Sequence, residues 1–287
     1  MMNSEEWSNE EKLKKLHEVS MLLLEKADSV LKENGIEYML DAGTLLGAIR
    51  HKGFIPWDDD ADICMLREDY DRFIEIAPEL FDDDFGFILP GQKGDNNFYD
   101  LVPKITYKKM NVTQAGLDDS FYNGKYSNPA LDIFVIDKVP DSKWGQALHT
   151  KLLIFIYGMA MGHRKKIDYS KYSKAEAIVI FVLSKIGKLL PLDIIATMYD
   201  SVAKMFSKKN KKWVMSTHSA MDHFGDCYQY DWYKERESAA FEGKSFPVPC
   251  GFDGILKTHY KDYMKLPPEE KRVPKHLHFD MFETRRD

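Results

Sequence analysis

Apolar residues recur at three- and four-residue spacing through much of the chain, which is the periodicity of amphipathic helices. The first such stretch begins at Ser8 and Glu11, which fit a capping box, and Gly35 supplies its stop. After Pro140 the pattern is helical again, because long apolar-rich segments follow one another there. The predicted helices span residues 8–34, 44–50, 68–80, 146–161, 174–190 and 192–206.

Shorter apolar runs predict strands over residues 36–40, 61–65, 101–107 and 130–136. The last run is continuously apolar, which favours a strand buried on both faces. Residues rich in Gly, Asp and Asn (82–97) predict a loop, and the chain after residue 212 is predicted to be irregular. The pattern therefore predicts an α/β (α+β) fold. A mixed-sheet core over residues 1–140 is followed by a helical region over 141–287, whose tail packs back on the core.

Composition and charge narrow the class of protein. The 287 residues include 40 Lys+Arg and 46 Asp+Glu, a net charge of −6, and 44% are hydrophobic. This balance is that of a globular protein and excludes intrinsic disorder. A pI near 5.9 argues against nucleic-acid binding, which requires a basic face. The three cysteines form no CxxC pair and are expected to be free thiols.

The compartment is predicted to be cytoplasmic, because residues 1–12 carry acids where a signal peptide would be basic. No apolar run reaches the ~18 residues of a membrane span. Residues 177–183 are apolar, with Lys174, Lys185 and Lys188 nearby. This segment could rest peripherally on the inner face of a membrane, although packing against other helices is the favoured interpretation.

The acidic cluster Asp58-Asp59-Asp60-Ala61-Asp62 is the most informative feature. On a strand, Asp60 and Asp62 would point to the same face, and two adjacent carboxylates suit Mg²⁺. A third carboxylate, Asp132, opens the apolar strand 130–136, where an unpaired charge would be costly. Upstream, Gly43 and Thr44 follow a strand and precede a helix, which is an arrangement that favours a phosphate. These residues predict a site for a cation and a phosphorylated ligand.

The block from Asp41 to Ile63, DAGTLLGAIRHKGFIPWDDDADI, resembles the LicD family, which includes bacterial phosphocholine transferases and fukutin-type proteins. The order strand, glycine, helix, DxD and a further strand with Asp is similar to the nucleotidyltransferase fold. Weaker agreement covers residues 132–137, 241–243, 260–264 and 267–268. Ala42 departs from the second glycine that many relatives have there, and little consequence is expected.

The resemblance implies an enzyme that moves a substituted phosphate, such as phosphocholine, from a CDP-linked donor to a sugar hydroxyl of a cell-surface glycan or glycolipid precursor. Asp60, Asp62 and Asp132 would hold Mg²⁺ (or Mn²⁺), and Asp132 could instead accept the proton of the attacking hydroxyl. Asp58 and Asp59 would order the turn or bind in an outer shell of the site. The implied donor-binding residues are Gly43, Thr44, Arg50, His51 and Lys104.

The sequence also allows two other functions. A nucleotidyltransferase would use the same cleft to move NMP from an NTP to a hydroxyl, and would release pyrophosphate. A non-catalytic glycan- or lipid-binding protein would have little use for the carboxylates, which repel one another. The donor headgroup is undetermined, because many aromatic residues are available to bind choline and none is distinguished from the others.

Overall fold

The described part of the chain, residues 8–94, 96–98, 100–114, 119–122, 128–219, 224–274 and 279–283, combines helices and short strands in this computed structural model. The helices are α1 (Asn9–Glu33), α2 (Ala42–Arg50), α3 (Arg67–Leu80), α4 (Lys143–Ala160), α5 (Lys174–Gly187), α6 (Leu192–Ala203) and α7 (Phe252–Tyr260). The strands are β1 (Met39–Leu40), β2 (Ala61–Leu66), β3 (Phe85–Ile88), β4 (Lys104–Tyr107), β5 (Met110–Gln114), β6 (Ala130–Val139), β7 (Trp213–Ser216), β8 (Tyr228–Gln229), β9 (Arg236–Phe241), β10 (Lys244–Pro249) and β11 (Phe279–Glu283). The predicted α/β class with a mixed sheet is confirmed.

Helix α1 begins and ends where the sequence predicts. Ser8 Oγ accepts a hydrogen bond from the Glu11 backbone N–H, and the Glu11 carboxylate accepts one from the Ser8 N–H. At the other end Gly35 takes a φ of 61°, and Ile36 N donates to Leu31 O. These bonds close the last turn as a Schellman motif. The buried side of α1 packs against β4 and β6.

Strand β6 lies at the centre of the main sheet, whose order is β1-β2-β6-β4-β3. Strand β2 runs parallel to it along one edge. Two strands share the other edge of β6. Strand β4 pairs antiparallel with its first residues, and β7 pairs antiparallel with its last residues. Ile133 and Phe134, whose side chains point to opposite faces of the sheet, are both buried, as the continuous apolar run predicts.

Several parts of the chain differ from the sequence-based expectation. Residues 82–97 are not a loop throughout, because β3 pairs with β4. The chain after residue 212 is not irregular, since β7 joins the main sheet, β9 and β10 form a hairpin, and α7 follows. These strands are four to six residues long, and periodicity does not identify apolar runs of that length. Because β7 pairs with β6, the region after residue 140 contributes to the main sheet; the boundary near 140 stays a prediction.

Helices α4, α5 and α6 enclose a second apolar cluster. Leu153 of α4, Leu183 of α5 and Tyr199 of α6 are buried in it. Helices α4 and α5 approach closely because Gly187 has no side chain; a Cβ there would lie 1.9 Å from the Met159 carbonyl oxygen. The three helices are thus fixed to one another by packing.

A buried ionic network ties α3, the sheet and α6 together. The Arg67 guanidinium donates to both oxygens of Asp137 on β6, at 2.7 and 2.6 Å, and to Asp200 on α6 at 2.8 Å. Asp137 is fully buried and also accepts a hydrogen bond from Thr217. The planar guanidinium suits this bidentate contact, which a lysine could not make.

Candidate active site

The acidic turn, residues 58–60, is held by its own backbone and by α1. Asp58 N donates to Ile55 O at 2.9 Å and closes a turn, in which Pro56 occupies the second position that suits its fixed φ. The His17 Nε2 atom lies 2.7 Å from the Asp58 carbonyl oxygen. Burial lowers the pKa of His17, so its neutral ring donates to that oxygen. The backbone of the turn is therefore fixed before any ligand binds.

Strand β2 begins directly after the acidic turn, so Asp60 precedes the strand and only Asp62 lies on it. This corrects the expectation that both carboxylates alternate along one strand. The backbone of Asp62 is held by α2, because its N–H donates to Thr44 Oγ1 at 2.9 Å and its carbonyl accepts from Asp41 N at 3.2 Å. Thr44 is buried and anchors Asp62, whereas the sequence predicted that it contacts the donor phosphate.

Asp62, Asp132 and Lys104 form one row across three adjacent strands. Asp62 of β2 is the register partner of Asp132 of β6, and Asp132 is the register partner of Lys104 of β4. Directly opposite residues share a face of the sheet. Lys104 Nζ donates to Asp132 Oδ1 at 2.7 Å and lies 3.4 Å from an oxygen of Asp100. The row thus places two carboxylates and one ammonium group on one face.

The surroundings penalise the ionised form of Asp62. Burial, followed by the charges of Asp60 and Asp132, raises the pKa of Asp62 well above its usual value. For Lys104, burial alone would lower the pKa, but Asp100 and Asp132 outweigh it and raise that pKa. Lys104 is therefore protonated at neutral pH. A further cation near Asp62 would remove the penalty on its charge.

The carboxylates are grouped closely enough to hold a divalent cation. In the described part of the chain, one oxygen each of Asp58, Asp59 and Asp60 lie within 4.8 Å of one another. These donors are carboxylate oxygens, the ligand type that Mg²⁺ and Mn²⁺ prefer. The predicted ligand set of Asp60, Asp62 and Asp132 stays a prediction. The geometry adds Asp58 and Asp59 as candidates for direct ligands, although the sequence assigned them to ordering the turn or to an outer shell of the site.

The Asp58 carboxylate lies directly against Gly43. A Cβ at Gly43 would stand 2.3 Å from Asp58 Oδ2. The sequence predicted that this glycine admits a phosphate, and the group found against it is the Asp58 side chain. Next to it, Ala42 has a φ of 45°, which is a conformation that favours glycine and fits the second glycine of many relatives.

A cleft of about 1420 Å³ opens over the row and the acidic turn. One part of its lining is acidic: Asp58, Asp59, Asp60, Asp62, Asp100 and Asp132. The other part is the C-terminal arm (residues 259–274), which contributes Lys261, Lys265, Lys271 and Arg272 as cations and Asp262 and Glu270 as acids. Arg50 Nη1 donates to Tyr263 O at 2.7 Å, so α2 holds the arm in place.

Most predicted site residues line this cleft: Gly43, Arg50, Asp60, Asp62, Lys104 and Asp132. Thr44 and His51 are not among the described lining residues. Thr44 is buried, and His51 lies edge-on to Trp57 with 6.3 Å between ring centroids. Sequence reasoning missed Asp100, for which no signal existed. It also assigned no role to the arm, although residues 260–264 and 267–268 were similar to the family.

Comparison with known proteins places the site within a described domain. Residues 35–135, which contain the row and the acidic turn, match the family model described as LicD/FKTN/FKRP, nucleotidyltransferase domain. The lipopolysaccharide cholinephosphotransferase LicD of Haemophilus influenzae is 27% identical over 275 residues, which cover 90% of this chain and 94% of that protein.

Two further relatives match shorter segments. An uncharacterized protein of Rickettsia typhi is 31% identical over 150 residues, covering 42% of this chain and 48% of that protein. The ribitol 5-phosphate transferase FKRP of Homo sapiens is 50% identical over 40 residues, which are 14% of this chain and 8% of FKRP. The resemblance carried by residues 41–63 to the LicD family is confirmed by the match of residues 35–135 to its nucleotidyltransferase domain and by the similarity to the Haemophilus protein.

Proposed function

We propose that this protein transfers a substituted phosphate, phosphocholine or a related phospho-alcohol, from a CDP-linked donor to a sugar hydroxyl of a glycan or glycolipid precursor. The observation that carries the proposal is the row of Asp62, Asp132 and Lys104 at the cleft of a LicD-family domain. The relatives support the reaction class, since one is named a cholinephosphotransferase and another a ribitol 5-phosphate transferase.

The charges of the cleft suit a diphosphate donor. Carboxylates alone would repel the donor, so the acidic wall requires a divalent cation. Asp60 and Asp62, with neighbouring carboxylates, would hold Mg²⁺ or Mn²⁺. This cation would neutralise negative charge on the diphosphate and on the leaving CMP. The lysines and Arg272 of the C-terminal arm would contact the outer phosphate oxygens. The diphosphate would thus lie between the acidic wall and the basic arm.

Asp132 has two candidate roles in this reaction. It either binds the cation or accepts the proton of the acceptor hydroxyl as the hydroxyl oxygen attacks phosphorus and the bond to CMP breaks. In both roles Asp132 would be positioned by Lys104, whose Nζ atom lies 2.7 Å from Asp132 Oδ1. The kinetics of Asp132→Asn distinguish them: loss of a ligand raises the metal concentration needed for half-maximal rate, whereas loss of the base lowers kcat at saturating metal.

CMP release from CDP-choline, CDP-ethanolamine, CDP-ribitol and CDP-glycerol, each with a glycan acceptor, tests the proposal. We expect release that depends on Mg²⁺ or Mn²⁺, is abolished by EDTA and is strongest with one headgroup. Pyrophosphate release from CTP, with none of the CDP donors turned over, would replace the proposal with the nucleotidyltransferase alternative.

Asp62→Asn tests the site itself. Outer-shell substitutions at metal sites already cost about 10–100-fold, so this variant should lose at least roughly 100-fold in CMP release. Its free energy of unfolding should stay equal or rise, because the substitution removes a buried charge that its neighbours repel. The matched control is Asp231→Asn, since the Asp231 side chain is 75% exposed and lies outside the cleft lining. Full activity of Asp62→Asn would contradict the site assignment.

A further inference from the structure

Helix α5 turns its apolar residues toward solvent. Ile178 is 65% exposed and Leu189, just beyond the helix, is 82% exposed. The other exposed apolar residues of this face are Val179, Phe181, Val182 and Ile186. Leu183, Ser184 and Gly187 form the buried side against α4. The favoured expectation that residues 177–183 pack against other helices is therefore wrong for most of this segment. The six exposed residues are called the apolar face of α5.

Helix α4, which packs against both α5 and α6, and α6 itself carry further exposed apolar groups. On α4, Leu148, Leu152 and Phe155 are exposed and follow one another at helical spacing. On α6, Ile194 and Met198 are exposed and line a groove of about 420 Å³ next to α4. Exposed apolar residues in this number on packed helices of a folded protein indicate a site of interaction with a partner.

The charge around the apolar face is opposite to that of the whole chain. Between residues 164 and 190 there are seven Lys and Arg but two acids, so this segment carries +5, whereas the protein carries −6. Lys174, Lys185 and Lys188 are exposed on or directly after α5 itself. A helix that combines exposed apolar residues with lysines suits a partner that is apolar inside and anionic at its surface.

From the apolar face and its lysines we infer that α5 docks on the surface of an anionic lipid bilayer. The helix has 14 residues, about 21 Å at 1.5 Å per residue, too short to cross a bilayer. Consistent with this, the described residues contain no helix long and apolar enough to span a membrane. The helix therefore lies in the interfacial plane, with its apolar face among the acyl chains and its lysines at the phosphate groups.

A second copy of this chain suits the surface less well. In a twofold dimer each surface meets its own copy, so two segments of charge +5 would face each other. Anionic headgroups instead attract every lysine of the segment, and their attraction is screened by salt. The inference goes beyond the proposed transferase activity and is tested without it.

Flotation of the full chain with lipid vesicles tests the inference. We expect binding to vesicles of phosphatidylcholine mixed with phosphatidylglycerol, and at least tenfold less binding to phosphatidylcholine alone or at high salt. The combined variant Ile178→Gln and Val182→Gln should lower vesicle binding at least tenfold. Both side chains are exposed, so the thermal unfolding midpoint should not fall. Lys185→Glu with Lys188→Glu should lower binding to the anionic vesicles by a similar factor.

The matched control is Leu22→Gln, which removes a 45% exposed leucine from α1 at the main sheet and should leave vesicle binding unchanged. Wild-type binding that the Ile178/Val182 variant retains would overturn the inference, as would failure of the wild-type chain to bind anionic vesicles. Sedimentation velocity measures whether a second copy of the chain covers the apolar face instead. A wild-type dimer that the same variant converts to a monomer would assign the face to a second copy and overturn the lipid assignment.

Discussion

Gly43→Ala separates the position of the acidic turn from the stability of the fold. The added Cβ would stand 2.3 Å from Asp58 Oδ2, and contacts below 3.0 Å essentially do not occur, so the carboxylate must move by at least 0.7 Å. Only the end of a side chain has to shift, and Gly43 lies within α2, where alanine is favoured by about 1 kcal/mol. The unfolding free energy should therefore change by less than about 1 kcal/mol.

Activity should respond differently, because Asp58 belongs to the carboxylate group of the cleft. A misplacement of about 1 Å near reacting atoms can cost roughly 100-fold, so we expect metal-dependent CMP release to fall by about 10–100-fold. The assay pairs this rate with urea unfolding of the same preparation. The double variant Gly43→Ala with Asp58→Ala removes the clash and should be no slower than Asp58→Ala alone.

Two results would refute this reasoning. Wild-type activity of Gly43→Ala would show that the position of Asp58 does not matter to turnover. A loss of more than about 2 kcal/mol in unfolding free energy would show that the backbone, rather than the side chain of Asp58, has to give way.

Three further predictions concern stability. Arg67→Leu leaves the fully buried Asp137 without its bidentate partner and should cost about 3–5 kcal/mol in urea unfolding; a loss below about 1 kcal/mol would contradict the importance of the network. Ala42→Gly should change the unfolding free energy by less than about 1 kcal/mol, because relief of the positive φ offsets the loss of the buried methyl group. Ala42→Val should lower the unfolding free energy by more than about 2 kcal/mol in thermal melts, because a β-branched residue is strained at positive φ. Burial and the charge of Arg67 lower the pKa of His218 to about 4, and Lys204 adds to the lowering. Asp137 and Asp200 oppose this shift only in part. The His218 ring lies beside the rings of Tyr70 and Tyr199. Protonation of His218 therefore favours the unfolded chain. The neutral ring contributes about 3 kcal/mol to the free energy of unfolding, which is fully present above pH ~6.5 and is lost as the pH falls toward 4. His218→Gln should flatten this dependence of the unfolding free energy on pH in urea titrations, and an unchanged dependence would reject the assignment.

The sequence predicted well where a local pattern determines the structure. The capping box of Ser8 and Glu11 and the stop at Gly35 are such patterns, and the helix they bound is present. The continuous apolar run of β6 likewise required burial on both faces. Strand β7 was missed because its four residues gain their structure from pairing with β6, which lies more than seventy residues earlier in the chain. A short strand of this kind has no signal until its partner is known.

The candidate site, too, was predicted only where a local pattern determines it. The DxD pattern and the position of Asp132 indicated carboxylates that converge, and the structure places Asp62 and Asp132 opposite each other on adjacent strands. The contact between Lys104 and Asp132 depends on antiparallel register across β4 and β6, which spacing along the chain does not contain. A hydroxyl after a glycine suits a phosphate as well as it suits a backbone N–H, and only the fold shows that Thr44 contacts the backbone of Asp62; its contact with a donor phosphate stays a prediction.

The distribution of charge links the cleft to α5. A chain of net charge −6 concentrates carboxylates on one wall of the cleft, and it places cations on the C-terminal arm and around α5. In the proposed reaction the CDP-linked donor is water-soluble, whereas an acceptor that is a glycolipid would be confined to a bilayer, so the two would meet at the membrane surface. Docking through α5 would raise the local concentration of such an acceptor without altering the cleft. It follows that the Ile178/Val182 variant should lose rate with a vesicle-bound acceptor but keep its rate with a soluble glycan, and equal loss with both would place the effect in the cleft.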